Sequence, residues 1–85
     1  MNDLHELSNA IRTREDLANF LKAAGQDALA NPHDWKEDSL SRFFEAWSAW
    51  VDDCPGWFAW RGETTPEQPS WWLIGQMVMA AKIYE

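Results

Sequence analysis

The sequence predicts an all-α fold, a compact bundle of three main helices over about residues 14–30, 39–53 and 70–84. Three observations carry that expectation. Residues 71–84 contain only Gln76 and Lys82 as strongly polar side chains, with no proline and no β-branched run to interrupt them. Leu40, Phe43, Phe44, Trp47, Trp50 and Val51 recur at helical spacing, with Arg42, Glu45 and Ser48 opposite them. No segment alternates apolar and polar residues at the period of two that a half-buried strand requires.

The elements follow in chain order. Asp3 followed by Glu6 can cap a short first helix over about residues 3–11, with Leu4, Leu7 and Ile11 at helical spacing. A frayed or extended arm fits the same residues. Thr13 is a clearer N-cap, because Glu15 and Asp16 place carboxylates in a first turn where the helix dipole favours them. Leu17, Phe20, Leu21, Ala24 and Ala28 form the stripe of this helix. Gly25 weakens it by about 1 kcal/mol relative to alanine. The spacing resumes at Ala28, so the stop is placed at Asn31-Pro32, where the residue before proline is pushed out of the helical region. Residues 33–38 make a polar connector around one large apolar residue, Trp35, and Asp38 or Ser39 opens the next helix.

That third helix is expected to end at Asp52-Asp53-Cys54-Pro55-Gly56, with Pro55 and Gly56 at the centre of a type II turn. An aromatic loop over residues 54–69 follows, and Ser70 caps the last helix. In that last helix Trp71, Ile74, Val78 and Ala81 line one side and Leu73, Met77, Ala80 and Tyr84 the neighbouring side. A helix apolar almost all round is buried by its neighbours, so it is the expected centre of the fold.

At 85 residues the chain is expected to be a single acidic helical domain, residues 1–85. A chain this short buries only about 60% of the surface its unfolded form exposes. Seven tryptophans and four phenylalanines offset that, because each buried ring removes about 150–250 Å² from water. The net charge is −7, from 14 acidic and 7 basic residues. Phosphate binding needs a basic face, so nucleic acid and anionic membrane are not expected as partners. A protein with a basic surface is, although an acidic surface also serves solubility alone. The single cysteine, Cys54, excludes an intramolecular disulfide and fits a reducing compartment. Residues 1–10 carry Asp3, His5 and Glu6 where a signal peptide needs a basic start and an apolar run. The apolar C-terminal stretch is shorter than the ~20 residues that cross a bilayer. A soluble, cytoplasmic protein is the expectation.

No catalytic constellation is visible. Asp52, Asp53 and Cys54 are adjacent and point in different directions, and His5 and His33 stand alone, so no metal site and no cofactor is expected. Cys54 lies between Asp53 and Pro55, and a neighbouring carboxylate does not activate a thiol. The carboxylate pairs Asp52 with Asp53 and Glu37 with Asp38 have the look of solvated helix ends. The chain is therefore not expected to be an enzyme.

Two features break local rules, and such breaks are where function tends to sit. Asp52 and Asp53 fall at the expected C-terminal, negative end of a helix. They either hydrogen-bond into the following turn or form an acidic contact for a basic partner. The second feature is the aromatic run Trp57, Phe58 and Trp60, continued by Trp71 and Trp72. These rings either fold back over the core beneath Trp47 and Trp50 or anchor a partner, with Arg61 beside Trp60. Trp57 and Trp60 beside Asp52 and Asp53 would also make an aromatic and acidic cage for a quaternary ammonium group, and tryptophans stack on sugar rings as well. Met77 and Met79 read as core filler.

A Thr-capped helix ending at Asn-Pro, then a tryptophan, a helix with Leu, Phe and Trp, an acidic end, an aromatic loop and an Ala-Ala-Lys-Ile-Tyr-Glu tail together make a pattern. Its positions here are Thr13, Asn31, Pro32, Trp35, Leu40, Phe44, Trp50, Asp53, Trp72 and residues 80–85. It resembles a family of small bacterial domains of unknown function, over most of the chain. Members of that family often show Glu-Asn straight after the first tryptophan, where this chain has Lys36-Glu37. The resemblance implies a compact helical fold and carries no activity. The expectation for function is a non-enzymatic interaction module, in one form an immunity or antitoxin-like inhibitor covering a basic toxin surface. The binding residues expected are Asp52, Asp53, Trp57, Trp60 and Arg61. The alternatives are a tryptophan-lined pocket near Trp57, Trp60 and Trp71 for a cationic or sugar ligand, and a homodimer that buries the last helix.

Overall fold

Every helix the sequence opens with a capping residue is present: α1 Leu4–Asn9, α2 Arg14–Ala30, α3 Leu40–Trp60 and α4 Trp71–Ile83, with a 3-10 turn Pro32–Asp34 between α2 and α3. The computed structural model describes residues 3–36 and 39–83, and among these there is no strand. Glu37, Asp38, Tyr84 and Glu85 lie outside the described residues.

The caps act as hydrogen-bond acceptors for the orphan N–H groups of each first turn. Asp3 accepts from the His5 amide at 3.2 Å, Ser39 from the Arg42 amide at 3.2 Å and Ser70 from the Leu73 amide at 3.0 Å. At α2 the exchange is reciprocal. The Thr13 hydroxyl accepts from the Asp16 amide at 3.1 Å, and the Asp16 carboxylate accepts from the amides of Thr13 at 3.2 Å and Arg12 at 3.0 Å. The Arg12 amide foremost, and then the Thr13 groups, hold the Asp16 carboxyl below its ordinary pKa.

α4 is the centre. It packs on α1, α2 and α3, while α2 and α3 have no comparable contact with each other. Val78 of α4 joins Leu4, Ile11, Leu17, Phe20 and Ala24 in one buried cluster, and Leu73 of α4 joins Trp50, Cys54 and Phe58 in a second. On the α1 side, Gly75 sits so close to Ile11 that a Cβ there would overlap the Ile11 Cδ1 atom. Beside it the Gln76 amide donates to the Ser8 carbonyl at 3.0 Å, fastening α4 to α1.

The expected end of the third helix is corrected. α3 does not stop at Asp53 but runs through Pro55 to Trp60, so residues 54–60 are helix, and the type II turn at Pro55-Gly56 does not form. An interior proline costs about 3 kcal/mol in an isolated helix. Burying the Phe58 ring offsets about 1.5–3 kcal/mol of that, and buried Cys54 and half-buried Trp57 add to it. Pro55 and Gly56 lie on the exposed face, where water can take up the freed carbonyl. The true stop is Gly62, at φ 75°, which lets its own amide reach the Ala59 carbonyl at 3.0 Å and the Glu63 amide reach the Phe58 carbonyl at 2.8 Å. The connecting loop shrinks to residues 61–70, all exposed.

Candidate functional site

The five residues expected to bind lie on the second half of α3 and its C-cap. Asp52 and Asp53 are exposed and sit in the middle of the helix, about two turns before its end at Trp60. The dipole penalty falls off within the last turn, so the rule they were expected to break does not apply to them. Trp57 is half-buried, edge-on to Trp50 at 5.5 Å and to Phe58 at 4.8 Å between ring centroids. The Arg61 guanidinium covers it at 4.6 Å from the ring centroid, lies 5.9 Å from Trp72 and pairs with Glu63 at 3.5 Å. The face of Trp57 that a ligand cation would use thus carries the chain's own cation. Trp60 stands apart, 84% exposed.

A different site emerges where α2 and α3 diverge over α4. They leave an open trough of about 470 Å³. Leu21, Ala24, Gly25 and Ala28 form the α2 wall; Leu40, Phe43, Phe44 and Trp47 form the α3 wall; Val78 of α4 is part of the floor. Pro32 and Trp35 line it from the connector, and Ser39 is the one side chain of the lining with a hydroxyl, amide or charge apart from the Trp indoles. The rim is wet: Leu40 is 72% and Phe44 55% exposed. Phe44 stacks on Trp47 at 6.3 Å, Phe43 meets Trp47 edge-on at 6.1 Å, and Phe43 lies tilted to Trp35 at 6.0 Å, so the α3 wall is a mutually braced aromatic surface. A shallow depression on the outer flank of α3 shares Phe44 and Trp47 and adds Glu45, Val51 and Asp52. Asp52 therefore borders the apolar wall from outside.

The connector end of the trough is held by a polar clasp. The Trp35 indole N–H donates to the Asp27 carboxylate at 2.9 Å, and the Asn31 amide donates to its other oxygen at 3.0 Å. The Lys82 ammonium lies 3.7 Å from Asp27 and 5.3 Å from the Trp35 ring centroid. The Lys36 amide donates to the Lys82 carbonyl at 2.9 Å. The Trp35 indole first, then the Asn31 amide and the Lys82 charge, hold the Asp27 carboxyl below its ordinary value. The clasp ties α2, the connector and α4 together at this end of the trough.

Among the described residues no three His, Cys, Asp or Glu side chains are grouped so as to hold a metal ion, and no helix is long and apolar enough to cross a membrane. Cys54 is a buried free thiol.

Residues 13–85 match the model of a family of unknown function, DUF7660. The chain belongs to that family. The DUF7660 match begins at the Thr13 cap and takes in α2, α3 and α4, hence both walls, the floor and the clasp; α1 and Ile11 precede it. Comparison with curated proteins and with solved structures finds no match.

Sequence reasoning placed Phe43, Phe44, Trp47 and Leu40 on one stripe but not the trough they open onto. The available signal was a stripe on α3 wider than one neighbour covers, together with the small residues Ala24, Gly25 and Ala28 on α2.

Proposed function

We propose that this chain is a non-enzymatic protein-interaction module that engages its partner through the trough between α2 and α3. The observation that carries the reading is an uncharged apolar trough with a wet rim. Leucine and phenylalanine side chains left exposed beside a concavity are characteristic of a surface that another molecule covers. A net charge of −7 favours encounter with a basic partner, and Glu45 and Asp52 border the aromatic wall. An inhibitor that covers a basic surface is one form such a module takes. A small-ligand pocket would enclose most of its ligand and place several polar groups to orient it; this trough is open and offers Ser39.

Gly25 provides the test. It lines the α2 wall, and a Cβ there meets nothing within 4 Å. Gly25→Leu should fill the trough and leave the fold intact. Wild-type and variant protein, immobilised side by side, are presented with lysate from the source organism and eluted with rising salt. A protein retained by the wild type and lost from Gly25→Leu supports the reading. Equal retention by the two, or none by either, overturns it.

A further inference from the structure

We infer that the occupant of the trough is a two-turn amphipathic α-helix of the partner, apolar toward Val78 and carrying lysine or arginine on the flank that reaches over the Phe44 rim toward Glu45 and Asp52; the inference rests on the reading of the trough as a protein-docking surface. The first argument is a seam on α3. Leu40, Phe44, Trp47, Val51, Cys54 and Phe58 follow one another at steps of four and three, the repeat that keeps one narrow strip of a helix against another helix. Cys54 and Phe58 use that strip, buried with Leu73 of α4. Leu40, Phe44 and Val51 continue it and are exposed. The cause is position: α4 runs beneath this half of α3 as well, but Phe43 and Trp47 are the side chains that pack against the cluster holding Val78, which leaves Leu40 and Phe44 uncovered. The open part of the strip is a continuation of a helix–helix interface that α4 does not cover.

The opposite wall suits the same occupant. Ala24, Gly25 and Ala28 present little side-chain bulk, so a helix backbone can approach α2 closely while its own large side chains mesh with Phe43, Phe44 and Trp47. Both walls, from Leu21 to Ala28 and from Leu40 to Trp47, span about 10 Å, two helical turns. An extended segment would fare badly. Its backbone N–H and C=O groups would face apolar walls with Ser39 as the nearby hydroxyl partner, and no strand edge exists among the described residues to pair with it. A helix satisfies its own backbone. A second copy of this chain would bring another −7 to the same face, so like charges oppose self-docking.

The test uses three synthetic peptides of equal length and the full chain labelled with ¹⁵N. The first has leucines at i, i+3, i+4 and i+7 with lysines on the flanks; the second has glutamates for the lysines; the third has the first one's composition with a central proline that breaks the helix. The expected result is saturable shifts of the Gly25 amide and the Trp47 indole with the lysine-flanked helix. Affinity should fall about tenfold or more for the glutamate version, since charge reversal beside an interface opposes encounter and register. Binding should be lost for the proline peptide and in Gly25→Leu. Equal binding of the proline peptide overturns the helical occupant, and equal binding of the glutamate peptide overturns the basic flank. Concentration-dependent shifts of Gly25 without peptide assign the trough to a second copy and overturn the inference. If no peptide shifts these signals the inference fails, while differential capture by wild type and Gly25→Leu still decides separately whether the trough docks a protein at all.

Discussion

The two halves of α3 have nearly the same apolar content and opposite fates. From Trp50 to Phe58 the helix gives Trp50, Cys54 and Phe58 to a buried cluster with Leu73. From Leu40 to Trp47 the same strip is left half in water, with Leu40 and Phe44 exposed and Phe43 and Trp47 partly covered. The difference lies in the neighbour. Periodicity states which face of a helix is apolar; the position of the next element decides whether that face is closed within the chain or remains for something outside it.

The comparison is broken most forcefully by truncating one aromatic in each half. Phe58→Ala removes a ring that is buried and wedged against Trp57, and should cost about 3–5 kcal/mol of unfolding free energy. Phe44→Ala removes a ring on the open rim and should cost less than about 1 kcal/mol. Urea unfolding followed by circular dichroism reads both. Comparable losses would mean that the trough is closed in solution.

Two glycines sharpen the same contrast on the neighbouring helices. Gly75→Ala drives a methyl group into Ile11, which is buried and has little room to swing aside, so overpacking of about 1–3 kcal/mol outweighs the roughly 1 kcal/mol that alanine gains over glycine in a helix. The double variant with Ile11→Val should recover part of that loss. Gly25→Leu meets open space and should leave stability unchanged or raise it by up to about 1 kcal/mol. Melting temperatures that fail to separate the two glycines would contradict the packing described for α4.

The clasp at the connector end gives a pH test. Asp27 has its folded-state pKa lowered, chiefly by the Trp35 indole, with Asn31 and Lys82 adding to it. Its contribution is therefore fully present above the unfolded value, about 3.9, and is lost as pH falls through the lower folded value. Asp16 at the α2 cap titrates in the same direction. Asp27→Asn keeps an acceptor for the indole but cannot pair with Lys82, so the difference in unfolding midpoint between it and the wild type should shrink as pH drops below about 4. A constant difference down to pH 2 would show that the carboxylate charge does not stabilise the clasp.

Local chemistry made much of this fold readable. The Thr13 box, the stop at Asn31-Pro32, the Ser39 and Ser70 caps and the all-round apolar character of residues 71–83 each rest on neighbours within one or two turns, and each is present. What failed was a local rule outvoted by distant burial. Pro55-Gly56 reads as a turn, yet Cys54 and Phe58 are held in the helix by Leu73 on another element. The trough and its clasp were illegible for the same reason. Asp27, Trp35 and Lys82 belong to three segments, and no spacing among them announces a contact. Exposure of Leu40 and Phe44 follows from which side of α3 the rest of the chain covers, which no residue of α3 encodes.

The smallest effect on the fold is expected on the acidic flank. Asp52 is exposed in mid-helix, so replacing it with lysine should change unfolding free energy by no more than about 0.5 kcal/mol. The consequence for binding should be larger. Asp52 borders Phe44, Trp47 and Val51 on the outer flank of the open strip, where reversed charge repels a basic partner during encounter and slows association, most visibly at low salt. Association rates measured for wild type and for Asp52→Lys against the captured partner, across a salt series, separate charge from shape. A rate reduced at low salt and converging with the wild type at high salt assigns Asp52 to steering. Identical salt profiles would leave the apolar strip as the whole of the recognition surface and the acidity of this helix as a matter of solubility.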